Sequence, residues 1–561
     1  LSPGRYDIAP SGAAGKTVDI VSSDTLPFLN VKEFGARGDG VTDDTAAIQT
    51  AINTAQSAGG GTVYFPAGQY LITSALTITA QYVHLRGAND HLWTPGGTTI
   101  IVGNGVAEQA IYVTGSHNSI TGISFKPQSG QLTVWTINLH KCESINLSHI
   151  YSTGLGGITA LEVSRSEWRD VVMQGWNGLA GFSLTKCSII YLTNCNSAPA
   201  KEGTPEEWTY GYFFSGCETI IEFGCEANNK PYYALYLYET NDSKWYDFEL
   251  NGAVHRQLYL YNSTDNQINN VYCLGQSVQP PVGIHAYKCS VLQIQGGWVG
   301  KSSETQLLIE SCNSVHVDAT ACFTTTGTQK GIVITDDGAT SWSNIIVDGA
   351  RIKGSEGLGT GIEVTGTAAG NAVLMLADNT INGNANAESV GIRITGTFTG
   401  KAISVVGGII YKVVTGVSCA EVKMEGEPLL LGGVNIAKNV TKPASTLPTA
   451  VWVRGCVGIE PVPNGQAGNY VLNIYDGGRT IEMNSAEEKT IEVPTNATVP
   501  FPIGTTITVF QEGTGKVVIK AAAGVTLWFP PAKELKTLEQ YATVTLRKRD
   551  ENVWAATGEL A

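Results

Sequence analysis

Asn30-Val31-Lys32-Glu33-Phe34-Gly35-Ala36-Arg37-Gly38-Asp39-Gly40-Val41-Thr42-Asp43-Asp44-Thr45, followed by Gly59-Gly60-Gly61-Thr62-Val63-Tyr64-Phe65-Pro66-Ala67-Gly68, is the stretch on which the fold turns. Asp39-Gly40 is a turn dipeptide that accepts positive φ. Thr42 or Asp43 is placed to cap a helix, with further acid in its first turn facing the positive end of the dipole. Ala47, Ile48, Ala51, Ile52 and Ala55 then recur at helical spacing and form one apolar stripe. Gly59 to Gly61 stop the helix, and Thr62-Val63-Tyr64-Phe65 alternates as a strand. The reading is strand, turn, capped amphipathic helix, glycine stop and strand. Such a helix is a natural lid for the open apolar end of a stack of coils.

From about residue 108 to residue 415 one pattern recurs every 22 to 30 residues: an apolar run, a polar turn and a second apolar run. First runs include Ile137-Asn138-Leu139, Phe182-Ser183-Leu184, Leu258-Tyr259-Leu260 and Ile392-Arg393-Ile394. Second runs include Ile145-Asn146-Leu147, Ile221-Glu222-Phe223, Val271-Tyr272-Cys273 and Ile345-Ile346-Val347. Self-similarity at such a period means stacked repeats, and alternation within each run means strands with one face inside. The repeat predicts about a dozen coils. Cysteine placement agrees. Cys142, Cys187, Cys217, Cys289 and Cys312 follow first runs, and Cys195, Cys225, Cys273 and Cys322 end second runs. They read as two interior columns of small side chains. No Cys-x-x-Cys or His-Glu-x-x-His spacing and no calcium loop occurs, so no metal and no cofactor are expected. An odd thiol count, 11, suits folding in a reducing cytosol.

The wording Gly38-Asp39-Gly40-Val41-Thr42-Asp43-Asp44-Thr45 and Phe65-Pro66-Ala67-Gly68 resembles the pectate-lyase-like family, and within it bacteriophage tailspikes and capsular polysaccharide depolymerases. The resemblance implies an all-β, right-handed parallel β-helix with a short capping helix, assembled as a homotrimer. It also implies a virion location on the phage tail or baseplate, through a part preceding this chain, after synthesis in the host cytoplasm. The implied partner is a bacterial capsular or O-antigen polysaccharide. The chain opens at Leu1 and not at Met, and residues 1–26 read as a linker from such a part.

The remaining divisions are 27–107, the opening and capping segment; 108–431, the parallel β-helix with the substrate site; 432–450, a linker; and 451–561, a C-terminal β-sandwich. The last rests on short alternating strands such as Thr480-Ile481-Glu482-Met483 and Thr506-Ile507-Thr508-Val509-Phe510 between glycine turns. Its end, Val553 to Leu560, resembles C-terminal modules of tail fibres and tailspikes, which implies trimer closure or a carbohydrate contact. A net charge of −14 argues against nucleic acid and anionic membranes, and no apolar run is long enough for membrane insertion.

Residues 208–298 hold 18 aromatic residues, a density that points to a sugar-binding groove because pyranose C–H faces pack on rings. Trp208, Tyr210, Tyr236, Tyr238, Trp245, Tyr272 and Trp298, with Asn270, are the binding candidates. Period-two alternation with Phe223, Cys225, Phe248 and Cys273 inward places Glu222, Asp247 and Asn270 in one outward column, with Glu249 on the same face and Glu226 starting the next turn. Acids one coil apart lie ~5 Å apart at the backbone. That closeness suits the acid and its partner in glycoside hydrolysis. Glu222, Asp247 and Glu249 are therefore the catalytic candidates, joined by Glu207 in the long insertion before Trp208. Endo-glycosidic hydrolysis is the leading expectation. β-Elimination on a uronate polymer, using His255, Arg256, Lys230, Lys244 or the tyrosines, is the alternative. A receptor-binding tail protein without catalysis is the third.

Overall fold

The coil between Tyr210 and Tyr233 shows the plan that the chain repeats. Tyr210–Ser215 is a first strand, Glu218–Phe223 a second and Glu226–Ala227 a short third. Two-residue corners, Gly216-Cys217 and Gly224-Cys225, separate them, and a loop leads to the next first strand, Tyr233–Tyr238. Each strand pairs in parallel with its counterpart one coil on: Phe213 with Tyr236, Phe223 with Tyr246 and Glu226 with Glu249. The protein is thus an all-β parallel solenoid of about 16 turns with very little helix. The computed structural model describes the strands Gly4–Ile8 and Lys16–Ile20 and residues 26–561, apart from 89–96, 177–179, 201–208, 275–278, 327, 339, 341, 355–357, 367–371, 384–388, 400, 412–414, 419–421, 426–428, 433–434, 437–441, 445–450 and 455–462.

The corners govern which side chains face inward. At the second corner Asp170, Asn194, Gly224, Asp247 and Asn270 all adopt the left-handed conformation, with φ between 51° and 61°. Gly, Asn and Asp tolerate that region best. A left-handed residue breaks the alternation of a strand. Inward positions on the coil are therefore Ile220, Glu222, Cys225 and Ala227, with a step of three across the corner, while Phe223 is 45% exposed. The expected inward placement of Phe223 and outward placement of Glu222 are corrected accordingly. The true corner column contains Gly224 where Glu222 was expected.

All nine of the ladder cysteines are buried thiols. In residues 1–308 the first-corner column has a definite job. Cys142, Cys187, Cys217 and Cys289 direct Sγ at the carbonyls of Val113, Ala160, Leu184 and Leu260, the ends of first strands one coil back. Thr240 and Ser263 hydroxyls do the same to Phe214 and Leu237. The column selects small donors that satisfy an otherwise buried carbonyl. Cys195 and Cys225 stack at the second corner, but Cys273 aligns with Leu250 in the third strand, so the expected second column is really two.

The opening segment folds nearly as read. Phe28–Asn30 and Gly61–Phe65 pair in parallel, and the helix Thr45–Ser57 buries Ile48, Ala51, Ile52 and Ala55. Its N-cap is Asp44, whose carboxylate instead accepts from the Arg37 and Gly38 amides at 2.7 and 3.0 Å. Asp43 accepts from the Thr45 amide at 3.0 Å, and no acid lies in the first turn. Asp39 accepts from the Val41 and Thr42 amides, which hold its carboxyl down at about 2. The helix covers the end strand of the first-strand sheet, Leu76–Ile78: Gln49 accepts from Thr77 N at 2.8 Å and donates to Thr77 O at 3.0 Å. Residues 4–20, expected as linker, contain an antiparallel two-stranded ribbon.

In residues 309–561 parallel pairing continues beyond the expected boundary at 431, since Leu429–Gly432 pairs in parallel with Val451–Arg454. From Asn464 onward a six-stranded and a three-stranded sheet enclose one core, including Ile481, Ile491, Val509, Val517, Leu546 and Trp554. Pairing there is mixed: Thr480–Met483 runs parallel to Thr506–Gln511, and Thr543–Asp550 antiparallel to it.

Candidate functional site: a carboxylate groove on the third strands

The short third strands were not anticipated, and they carry the candidate site. Across successive coils their outward column reads Val172, Asn196, Glu226, Glu249, Tyr272 and Trp298. Two carboxylates thus stand on neighbouring coils, ~4.8 Å apart along the axis at the backbone. They open into a cleft of about 640 Å³ lined by Gln174, Asn196, Asn228, Asn229 and Asn251 besides the two acids. Asn196 Nδ2 donates to Glu226 Oε2 at 2.7 Å, and Asn251 Nδ2 donates to Glu249 Oε1 at 2.8 Å. These amide contacts fix each carboxylate by one oxygen. Further along the same column Tyr272 and Trp298 are 38% and 40% exposed, an arrangement of rings in line with acids. Amides and rings around two acids are what a neutral or mixed polysaccharide needs for hydrogen bonding and stacking.

The structure divides the sequence-derived candidates among four places. Glu249, Tyr272 and Trp298 lie in the groove, where Glu226 joins them. Asp247 and Asn270 sit at the exposed second corner, and Asn270 Nδ2 donates to Asp247 Oδ1 at 3.3 Å. Glu222 and Trp245 are aligned with each other and wholly buried in the coil interior. Glu222 accepts from the amides of Cys225 at 2.6 Å and Tyr246 at 3.3 Å, and burial pushes its carboxyl up to about 8. That interior position corrects its expected place on the surface; it closes the corner from within. Trp245 packs at a tilt against Phe214 and Phe248 in the core. Tyr210, Tyr236 and Tyr238 lie on the first-strand sheet, on a different strand set from the acids. Glu207 and Trp208 fall outside the described residues.

The sequence places Glu226 only at the start of a turn, and its strand escapes the pattern. The triplets Cys225-Glu226-Ala227, Glu249-Leu250-Asn251 and Tyr272-Cys273-Leu274 each alternate, but three residues are too few to register as a strand. Only the corner geometry brings them into line.

The sequence profile of a known family agrees with this architecture. Residues 28–229 match the sequence profile of the family described as rhamnogalacturonase A/epimerase, pectate lyase-like. This part of the chain is similar in sequence to the pectate-lyase-like β-helices. Among curated proteins, the mannuronan C5-epimerase AlgE5 of Azotobacter vinelandii is 46% identical over 95 residues, which are 17% of this chain and 8% of that protein. Alginate lyase 7 of the same organism is 44% identical over 95 residues, covering 17% and 10%. The chain therefore spans about a tenth or less of the length of these relatives. Among solved structures, the bacteriophage Phi29 gene product 12 N-terminal fragment aligns with a TM-score of 0.46 at 13% identity, covering 83% of this chain and 81% of that one. The Dettilon tailspike protein aligns with a TM-score of 0.42 at 14% identity, covering 65% and 68%.

Proposed function

We propose that this protein binds and cleaves a bacterial surface polysaccharide, capsule or O-antigen, in the third-strand groove, with Glu226 and Glu249 as the paired acids. The observation that carries the reading is the alignment of these two carboxylates on adjacent coils in an amide-lined cleft, followed by exposed Tyr272 and Trp298. In glycoside hydrolysis one carboxyl protonates the leaving oxygen while the other attacks the anomeric carbon or activates water. Retaining enzymes hold the two groups ~5–5.5 Å apart and inverting enzymes ~6.5–9.5 Å. A one-coil separation favours the retaining arrangement. Asn196 and Asn251 orient the acids, and the rings hold neighbouring sugar units. Asp247 then serves as a corner residue and not as a catalyst. The chain's role as a homotrimeric phage tailspike is part of the same proposal and rests on the wording of its opening and closing segments.

Elimination on a uronate polymer is the second reading. The names of the similar proteins, mannuronan C5-epimerase and alginate lyase, favour it. Incubation with purified polysaccharide from a sensitive host separates the two. Hydrolysis yields new reducing ends without an ultraviolet-absorbing unsaturated uronate; elimination yields both. Binding without any new ends means a receptor-binding protein and contradicts cleavage.

A further inference from the structure

The first-strand sheet carries a second patch with chemistry of its own. Arg256 opens the strand Arg256–Tyr261 and is half-buried. Its Nη1 donates to the His255 carbonyl at 2.9 Å and lies 3.4 Å from His255 Nε2, while Nε donates to His285 Nδ1 at 3.4 Å. Tyrosine rings frame it: Tyr210 stacks on Tyr233 at 5.6 Å, Tyr233 on Tyr259 at 5.8 Å, and Tyr236 on Tyr259 at 5.0 Å. Tyr259 in turn stacks on His285 at 4.9 Å.

Three facts make this more than a packed aromatic surface. Among the described residues no carboxylate forms an ion pair with Arg256; Glu304 acts on it only at longer range. His255 Nδ1 is buried and without a hydrogen-bond partner. The whole chain carries −14, so an acidic ligand needs a local cation to approach it. A guanidinium taken out of water without a paired anion keeps donors for an incoming one, and its fork matches a carboxylate. The flanking tyrosines, stacked on one another, offer phenol hydroxyls to the hydroxyl groups of a sugar.

We propose that Arg256, His255 and His285, framed by the stacked tyrosines, form a subsite for the carboxylate of an acidic sugar, separate from the Glu226/Glu249 groove. The subsite goes beyond the cleavage proposal and does not depend on it, because it is defined by binding alone. It assigns the ligand an acidic unit and gives Tyr210 and Tyr236 a recognition role.

Saturation-transfer NMR on the full chain with glucuronate, and with glucose at equal concentration, tests it. Saturation of glucuronate and not of glucose is expected. Arg256→Gln should weaken glucuronate binding at least tenfold, and Arg256→Lys less, since it keeps the charge but loses the fork. Equal saturation of both sugars, no saturation of glucuronate, or an Arg256→Gln affinity within twofold of wild type would overturn the subsite. The comparison of the two sugars needs no variant, so it decides the matter even if Arg256→Gln folds poorly.

Discussion

At the scale of single residues, Glu222 shows how a carboxyl becomes structural. It occupies an inward position that neighbouring coils fill with Leu192 and Trp245. Burial disfavours its charge, and the amides of Cys225 and Tyr246 only partly offset this. The sign follows from linkage. A carboxyl whose folded pKa, about 8, exceeds its ordinary 4.5 contributes stability fully present below 4.5 and lost as pH rises through 8. Between those values the slope approaches about 1.4 kcal/mol per pH unit. Glu222→Gln keeps an acceptor for Cys225 N and cannot ionise. Thermal midpoints of the two proteins should coincide near pH 5, with wild type falling below the variant by pH 9. Parallel curves would show that the carboxyl is not held neutral. The placement of Glu222 was not legible in the sequence, because Gly224 and not Phe223 interrupts the alternation. Nothing in Glu222-Phe223-Gly224-Cys225 announces a left-handed corner except the glycine itself.

At the scale of elements, the first and second strands were legible from their apolar runs and the helix Thr45–Ser57 from its stripe. The third strands were not, since two to four residues give too little pattern. The cysteines helped for a physical reason: the first corner needs a small buried donor, and Cys, Thr and Ser all supply one. They misled at Cys273, whose position in a third strand looked like the end of a second. The helix also protects an edge. Thr77 N and O on the end strand Leu76–Ile78 are both bonded to Gln49. Gln56 accepts from Thr79 and Ala80 amides at 2.6 and 3.0 Å. Unpaired strand edges are liabilities for aggregation. Gln49→Ala should cost about 1–2 kcal/mol by leaving both groups of Thr77 to solvent. A denaturant titration should show a lower midpoint with an unchanged slope. No shift would mean that packing of Ile48 and Ile52 alone holds the helix in place.

At the scale of the whole molecule, the proposed tailspike role implies a trimer. Light scattering should then give about 180 kDa, three copies of a 59.4 kDa chain. A mass near that of one chain would remove the trimer from the proposal without touching the groove. What the solenoid itself contributes is register: it brings Asn196, Glu226, Glu249, Tyr272 and Trp298, spread over a hundred residues, into one line. The most direct measurement is the rate of reducing-end release by Glu226→Gln and Glu249→Gln, with polysaccharide binding measured on the same proteins. Each variant should lose about 10²–10⁴-fold in rate while binding stays within a few-fold, because only the proton or nucleophile is removed. Either variant cutting at a rate within threefold of wild type would contradict the assignment of the site to this groove.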